Sequence, residues 1–192
     1  TLLDNNFISV GELTQRVKSA FIRSNVNDLN AQIVADALVK AEIDGKFGHG
    51  VSRVMSYAAQ AKIGKVDGNA EPLVSQNKPS VLSVDASNGF AYPAIKMLTD
   101  ILPKTAHSQG IAMGGVYRSH HFGVAGHIVE KIALLHRYWR SMGQELSRIS
   151  LKAIFLLGAI SQGLSFCKRC TFPYFLISML INNFFKLLVI YI

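Results

Sequence analysis

The sequence predicts an α/β fold in which a helical N-terminal lobe leads into a mixed α/β body, followed by an apolar tail that we expect to be helical. The order of elements supports this class, because three helical stretches precede an alternation of strand, helix, strand and helix. Charge sets the tail apart: residues 1–135 contain 13 Lys/Arg and 11 Asp/Glu, whereas residues 136–192 contain 7 and 1. The net charge of +8 therefore belongs mostly to the tail, and we predict no nucleic-acid partner.

Two helices open the chain. Ser9 is followed three residues later by Glu12, which is a capping-box pattern, and apolar residues then recur at helical spacing. Asp28 is the predicted N-cap of the second helix, which has the same apolar periodicity. This pair of helices is predicted to pack as a module without chemistry of its own.

A histidine between two glycines, His49, begins a third helical segment that runs to about Ala61. His49, Arg53 and Tyr57 are spaced i, i+4 and i+8, which places all three on one face of a continuous helix. Arginine binds a carboxylate through two parallel hydrogen bonds, and histidine exchanges a proton near neutral pH. The set therefore suits a small anionic substrate. The alternative is a solvated helix face with a satisfied histidine.

The middle of the chain alternates between loop, strand and helix. Lys62 to Pro79 is rich in glycine and proline and is predicted to be a loop, whereas Val81 to Val84 is predicted to be a strand. A helix is predicted from Ala91 to about Ser108, with Pro103 as the residue that kinks or ends it. The apolar run from Ile111 to Val116 predicts a second, buried strand.

A histidine-rich turn follows this strand, and the rest of the chain is organised around it. The turn contains the adjacent pair His120 and His121, and a helix is predicted after it from about Val124 to Leu134. A turn between a strand and a helix is a common place for a site, since the rigid elements on both sides fix the exposed side chains. The alternative is that these histidines only cap and bridge a loop.

Taken together, these motifs resemble those of the type 2 malate/L-lactate dehydrogenase family, NAD(P)-dependent oxidoreductases that are separate from the Rossmann-type lactate dehydrogenases. The resemblance covers only the N-terminal part, roughly Ile8 to Leu134, where order and spacing agree throughout. It is carried by these segments: Asp44-Gly45, Gly48 to Arg53, Gly64, Pro72, Val84-Asp85, Gly89, Ser119 to Gly123, and Gly126.

The resemblance implies hydride transfer between NAD or NADP and a small 2-hydroxy or 2-oxo acid such as malate or lactate. It implies that His49 and His121 are catalytic acid/base residues and that Arg53 holds the substrate carboxylate. Tyr57 is assigned to the substrate site through its place on the same predicted helix face. The family usually has serine where this chain has Gly48, which removes one hydroxyl from the substrate pocket. The family also implies a cytoplasmic homodimer.

The resemblance stops near Leu134, and most of the family's cofactor contacts come from segments beyond that point. The cofactor-binding residues of this chain are therefore unknown, and no metal site is predicted. We expect two parts: residues 1–134, the N-terminal part of a dehydrogenase-like domain with a truncated body, and residues 135–192, an unrelated basic and apolar tail. Cys167 and Cys170 lack the second pair that a zinc site needs, and we interpret them as incidental.

The tail has two explanations. Its abrupt loss of acidic residues and of family pattern favours an out-of-frame or spliced segment, which makes the chain a truncated dehydrogenase. The alternative is a membrane anchor at Thr171 to Ile192, a stretch long enough to span a bilayer, although Lys186 and Pro173 are costly there. The leading hypothesis is thus an oxidoreductase of the cytoplasm. The competing hypothesis is a non-catalytic remnant that acts as a membrane-attached or partner-binding fragment.

Overall fold

The structure, a computed structural model, describes residues 7–128, 130–132, 152–156 and 185–191. The chain divides into two compact units, Thr1–Asn69 and Ala70–Ile192. The described elements of the first unit are all helical, and the second unit contains the described strands.

Helix α1 covers Val10–Ile22 and opens the helical unit. Ser9 Oγ accepts a hydrogen bond from the backbone N–H of Glu12 at 3.1 Å, so the predicted N-cap is confirmed. The apolar face of α1 is buried through Val17 and Phe21, and this burial fixes the helix on its neighbours.

Helix α2 covers Asp28–Ile43, and its N-cap differs by one residue from the prediction. The side chain of Asn27, and not that of Asp28, accepts a hydrogen bond from the N–H of Asn30 at 2.8 Å. Asp28 lies in the first helical turn and forms an ion pair with Lys18 at 2.8 Å. The side chains of Asn27 and Asp28 both stabilise the start of α2, because the N–H groups in the first turn of a helix are unpaired.

Two short 3-10 turns, Phe47–His49 and Val51–Arg53, lead into helix α3, which covers Val54–Lys62. The chain then returns to the start of α2, where the side-chain amide of Asn30 donates to the carbonyl of Gly68 at 3.0 Å. Asn30 is buried, so this bond satisfies a polar group that water does not reach.

Five strands form one sheet in the second unit: β1 (Leu73–Lys78), β2 (Val81–Asp85), β3 (Ile111–Tyr117), β4 (Lys152–Leu156) and β5 (Phe185–Tyr191). Their order in the sheet is β1-β2-β3-β5-β4. Strands β2 and β3 are parallel, and the other neighbouring pairs are antiparallel. Helix α4, Ala91–Gln109, connects the parallel pair, so both strands end at the same edge of the sheet.

The core of this unit lies between α4 and the sheet. Leu98 and Leu102 of α4 cluster with Val84 of β2 and Val116 of β3, all of them buried. Burying side chains of this size is worth about 1.5–3 kcal/mol each, which holds the helix on the sheet. The helical residues 125–128 and 130–132, which follow the histidine turn, join this core through Ile132.

The strands and the helix predicted from Val81 to Val116 are confirmed. Two details of this part of the chain differ from the prediction: a strand that precedes Val81, and the course of helix α4. Strand β1 lies within the stretch predicted to be a loop; its residues are all exposed, so no apolar alternation marks it, and it forms by pairing with β2. Helix α4 continues through Pro103, where the sequence predicts a kink or an end. Pro103 is buried beside Leu102, and packing on the sheet outweighs the hydrogen bond that proline removes.

Most of the tail predicted to be helical, residues 135–192, lies outside the described residues, as does the predicted boundary at residues 134–135. The two tail segments that are described, β4 and β5, are strands, and the helical character of the tail as a whole stays a prediction. Strand β5 pairs along β3 from Ile111↔Tyr191 to Tyr117↔Phe185. Within the described ranges, no helix is both long enough and apolar enough to cross a bilayer.

Candidate active site

The loop after α2 carries His49 and Arg53. Gly50 separates the two 3-10 turns, and its backbone, at φ −97° and ψ −141°, leaves the helical path. His49 ends the first turn, Arg53 ends the second, and α3 begins only at Val54. The prediction that His49, Arg53 and Tyr57 share one face of a continuous helix is therefore wrong.

The break has a physical cause in Glu42. The carboxylate of Glu42 accepts a hydrogen bond from the N–H of Val51 at 2.8 Å, at the start of the second turn. One of its oxygens occupies the space that a Cβ on residue 50 would fill, so glycine is needed there. Sequence reasoning missed Glu42, because the contact depends on the chain turning back toward α2 and no spacing signals it.

The side chain of Arg53 is oriented by the same loop. Its Nε donates to the carbonyl of Gly48 at 2.6 Å, and the side chain is exposed. Ser52 Oγ donates to the carbonyl of Phe47 at 2.5 Å, so a second bond joins the two turns. With Nε engaged, the terminal nitrogens of Arg53 form the fork that binds a carboxylate. The structure thus joins Arg53 to the loop that carries His49.

Tyr57 differs from these two residues in exposure. It is 3% exposed and lies among the buried residues of α3, whereas His49 is half-buried. Its assignment to the substrate site stays a prediction. A buried tyrosine in a helix contributes packing area first and hydrogen bonding through its hydroxyl second.

The candidate residues His120 and His121 lie just past the carboxyl ends of the parallel strands β2 and β3. Three backbone hydrogen bonds continue the strand pairing into the turns that follow: Ala86 N–H to Tyr117 at 3.0 Å, Asn88 N–H to Arg118 at 2.8 Å, and His120 N–H to Gly89 at 3.0 Å. In α/β sheets, ligands bind at the carboxyl ends of parallel strands. The histidine turn therefore lies at the edge of the sheet where a substrate is expected.

The two histidine rings have different surroundings. His120 is half-buried, and its ring meets that of Phe90 edge to face, with centroids 6.0 Å apart. His121 is exposed, stacks on Phe122 at 5.8 Å, and accepts a hydrogen bond at Nδ1 from the N–H of Gly123 at 3.2 Å. Because Nδ1 accepts, a neutral His121 ring carries its proton on Nε2 and is a donor there.

An ion pair between Asp85 and Arg118 lies at the base of the histidine turn. Arg118 Nε and Nη2 donate to the two Asp85 oxygens at 2.9 and 2.5 Å, and the N–H of Ser87 donates to the same carboxylate at 2.8 Å. The hydrogen bond from Arg118 lowers the pKa of Asp85 despite the opposing effect of burial. The same bond raises the pKa of Arg118. Sequence reasoning missed Arg118, because 33 residues separate the partners.

The lowered pKa of Asp85 predicts a stabilisation that acid removes. A carboxylate with a lower pKa in the folded state stabilises the fold above its unfolded-state pKa, about 4, and this contribution disappears as the pH falls through the folded-state pKa. We expect Asp85→Asn to lower the free energy of unfolding at neutral pH and to lower it less as the pH falls below about 4. Urea unfolding of both proteins across this range measures the difference. A difference that does not change with pH would contradict the prediction.

The helical residues after the turn are attached to α4. Lys131 Nζ donates to Thr99 Oγ1 at 2.9 Å and to Asp100 Oδ1 at 2.6 Å. Thr99 is 1% exposed, so Lys131 supplies a hydrogen bond to a buried hydroxyl, and Ile128 and Ile132 are buried nearby in sequence. The histidine turn is therefore restrained on both sides, by strands before it and by this contact after it.

The turn between β2 and α4 has the position of a phosphate-binding turn, since it joins a strand to the N-terminus of a helix. Its N–H groups are engaged with the protein: Ser87 with the Asp85 carboxylate, Asn88 with the Arg118 carbonyl, and Gly89 with the Ala86 carbonyl. These three N–H groups are therefore not available to the phosphates of a nicotinamide cofactor. Among the described residues, no three His, Cys, Asp or Glu side chains form a metal-binding group.

His49 and Arg53 belong to the helical unit, and His120 and His121 to the sheet unit. The first group combines a carboxylate fork with a histidine, and the second places histidines at the ends of parallel strands. Arginine can bind a carboxylate, and histidine can exchange a proton near neutral pH.

Comparison with known proteins identifies the class further. The family model for malate/L-lactate dehydrogenase matches residues 8–135. The chain belongs to this family, and the resemblance drawn from its N-terminal motifs is confirmed. The expected cofactor, NAD or NADP, is confirmed at the level of the family, and one relative is named as NADP(+)-dependent.

The chain is similar to two curated oxidoreductases and to one solved structure. The chain is 35% identical over 122 residues to the Delta(1)-pyrroline-2-carboxylate/Delta(1)-piperideine-2-carboxylate reductase of Pseudomonas putida, covering 64% of this chain and 36% of the relative. It is 38% identical over 129 residues to the (2R)-3-sulfolactate dehydrogenase (NADP(+)) of Chromohalobacter salexigens, covering 67% and 38%. The crystal structure of delta1-piperideine-2-carboxylate reductase from Pseudomonas syringae matches with a TM-score of 0.65 at 30% identity, covering 68% and 40%. The chain thus spans little more than a third of the length of these curated relatives.

Proposed function

We propose that the described residues form the substrate side of an NAD(P)-dependent oxidoreductase that interconverts a small 2-hydroxy acid and its 2-oxo acid. Malate and lactate are the first substrates to test, and the cyclic imino acids and sulfolactate in the relatives' names come next. All of these compounds have a carboxylate beside the carbon that gains or loses hydride. The cofactor supplies the hydride, whereas this chain binds the carboxylate and moves the proton.

The observation that carries the proposal is the orientation of Arg53. Its Nε bond to the Gly48 carbonyl sets the plane of the guanidinium while the side chain stays exposed. A carboxylate bound by two parallel N–H donors gains about 1.5–3 kcal/mol from each charge-assisted bond at best, and it is fixed in one plane. Fixing the acid in this way orients the adjacent carbon and oxygen for reaction.

The two histidines are suited to different tasks. A neutral His121 donates from Nε2, because the Gly123 N–H occupies Nδ1. From Nε2 that ring can donate a hydrogen bond to the substrate oxygen. We therefore propose that His121 donates this hydrogen bond. His49, in the helical unit, is proposed separately as an acid/base residue.

Substituting lysine for Arg53 tests carboxylate binding directly. Arg53→Lys keeps the positive charge and removes the fork, so we expect it to weaken binding of pyruvate or oxaloacetate to the full chain by about 10- to 100-fold. Isothermal titration calorimetry gives both affinities. Arg16→Lys is the matched control, since Arg16 is exposed and pairs with Glu12 at 2.6 Å in α1. Equal affinities for wild type and Arg53→Lys would contradict the proposal.

Turnover is a separate measurement. The full chain is mixed with NADH or NADPH and a panel of acids (pyruvate, oxaloacetate, sulfopyruvate and the cyclic imines), and cofactor absorbance is followed. Oxidation that depends on one acid supports the proposal and identifies the substrate. A folded chain that neither binds the cofactors nor oxidises them with any of these acids would overturn its catalytic part.

A further inference from the structure

We propose that Asp85 and Arg118 are positioning residues, whose ion pair holds the turn carrying His120 and His121 against the carboxyl ends of β2 and β3. Neither side chain is assigned a contact with substrate. The catalytic meaning of the pair rests on the proposed function, whereas its effect on the geometry of the histidines does not.

The pair joins two turns that are distant in sequence. Asp85 is the last residue of β2, and Arg118 follows the last residue of β3. The Asp85 carboxylate accepts three N–H donors: two from the Arg118 guanidinium and one from the backbone of Ser87. One carboxylate therefore fixes the turn that precedes α4 and the turn that carries the histidines.

Arg118 needs such a restraint because of its backbone. Its φ of 47° lies in the left-handed region, which residues other than Gly, Asn and Asp rarely occupy. Its carbonyl accepts the N–H of Asn88 at 2.8 Å, and its guanidinium is bound by Asp85. Arg118 is thus held by both its main chain and its side chain, two residues before His120.

The geometry differs from that of an ordinary surface ion pair. The Asp85 side chain is 14% exposed and that of Arg118 is 52% exposed, so the acid is largely shielded from water. Two N–H groups of one guanidinium meet two oxygens of one carboxylate, which restricts orientation as well as distance. Exposed pairs between single atoms lack this directional effect.

The test uses Asp85→Asn, Arg118→Gln and the double variant in the full chain. Nitrogen-15 NMR of the histidine rings shows which ring nitrogen carries the proton. In wild type we expect His121 protonated on Nε2, because Nδ1 accepts from Gly123. In both single variants we expect a mixture of the two ring forms, and in the double variant no further change, since either substitution breaks the same pair. Arg16→Gln, which removes an exposed arginine–carboxylate contact with Glu12, is the control, and we expect it to leave the signals unchanged.

Circular dichroism establishes that each variant is folded. If Asp85→Asn does not fold, Arg118→Gln carries the test, because that side chain is half exposed. Histidine signals that match wild type in a folded variant would overturn the positioning role. Where wild type turns over a 2-oxo acid, we also expect kcat to fall by about 10- to 100-fold in the variants with a smaller change in KM. Absence of turnover in wild type would count against the proposed function alone, since the ring signals still report on the pair.

Discussion

Gly123→Ala is expected to lower the free energy of unfolding by about 2–5 kcal/mol and to disorder the geometry of the histidine turn. Two costs contribute. Gly123 has a φ of +76°, a conformation that costs about 1–2 kcal/mol for a residue with a Cβ. That Cβ would also lie 2.6 Å from Oη of Tyr92 and 2.9 Å from a carbon of its ring. Tyr92 is 9% exposed, so its ring has little room to move and the overlap adds about 1–3 kcal/mol.

The same substitution is expected to change the ring form of His121, because residue 123 donates a hydrogen bond to that ring. The N–H of residue 123 donates to Nδ1 of His121, and a change in the backbone at this residue moves the donor. We therefore expect Gly123→Ala to lose the single Nε2-protonated form of His121 as well as stability. Thermal and urea unfolding measure the first effect, and nitrogen-15 NMR measures the second.

Gly126→Ala is the matched control, three residues further along the chain. Nothing lies within 4 Å of a Cβ built on Gly126, and the residue is helical. Alanine is favoured over glycine in a helix by about 0.5–1 kcal/mol, so this variant is expected to equal or exceed wild type in stability. If Gly123→Ala proved as stable as Gly126→Ala, neither the left-handed backbone nor the contact with Tyr92 would make alanine costly at residue 123.

The parts of the fold that sequence predicts are those determined by neighbouring residues. Ser9 caps α1 because the acceptor and the N–H of Glu12 are three residues apart. The strand at Ile111–Tyr117 is predicted because a continuous apolar run signals burial. His49 and His121 are predicted as site residues from local motifs in the same way; the family match over residues 8–135 spans both, and their roles stay predictions.

The parts that sequence does not predict depend on contacts between distant residues. Strand β1 has no apolar alternation and exists because β2 offers a partner. Pro103 does not end α4, because the sheet packs against the helix on both sides of that residue in sequence. Arg118 and Glu42 support the candidate site from contacts that span 33 and 9 residues. Helical spacing alone also overlooks that Glu42 interrupts the path from His49 to Tyr57.

The interruption at Gly50 leads to the second large effect. A Cβ on residue 50 would overlap Oε2 of Glu42 and lie 3.1 Å from its backbone nitrogen and 3.2 Å from its Cα. The carboxylate can rotate away only by giving up its bond to the N–H of Val51, which costs about 0.5–1.5 kcal/mol or more. The backbone of Glu42 belongs to α2 and yields little, so overpacking adds about 1–3 kcal/mol.

We therefore expect Gly50→Ala to destabilise the chain by about 1.5–4.5 kcal/mol and to displace the loop that orients Arg53. Under the proposed function, affinity for a 2-oxo acid falls in the same variant by about 10-fold or more, because the fork of Arg53 is no longer aligned. Urea unfolding and calorimetric titration with pyruvate measure the two effects on the same protein.

Gly48 provides the control and a further comparison. Nothing lies within 4 Å of a Cβ at this position, so Gly48→Ala is expected to retain the stability and acid affinity of wild type. Gly48→Ser fits the same space and returns the hydroxyl that the family usually has there; we expect it to bind a 2-oxo acid more tightly than Gly48→Ala, since the two variants differ by one hydrogen-bonding group. Equal effects of alanine at positions 48 and 50 would show that the contact with Glu42 does not restrain the loop.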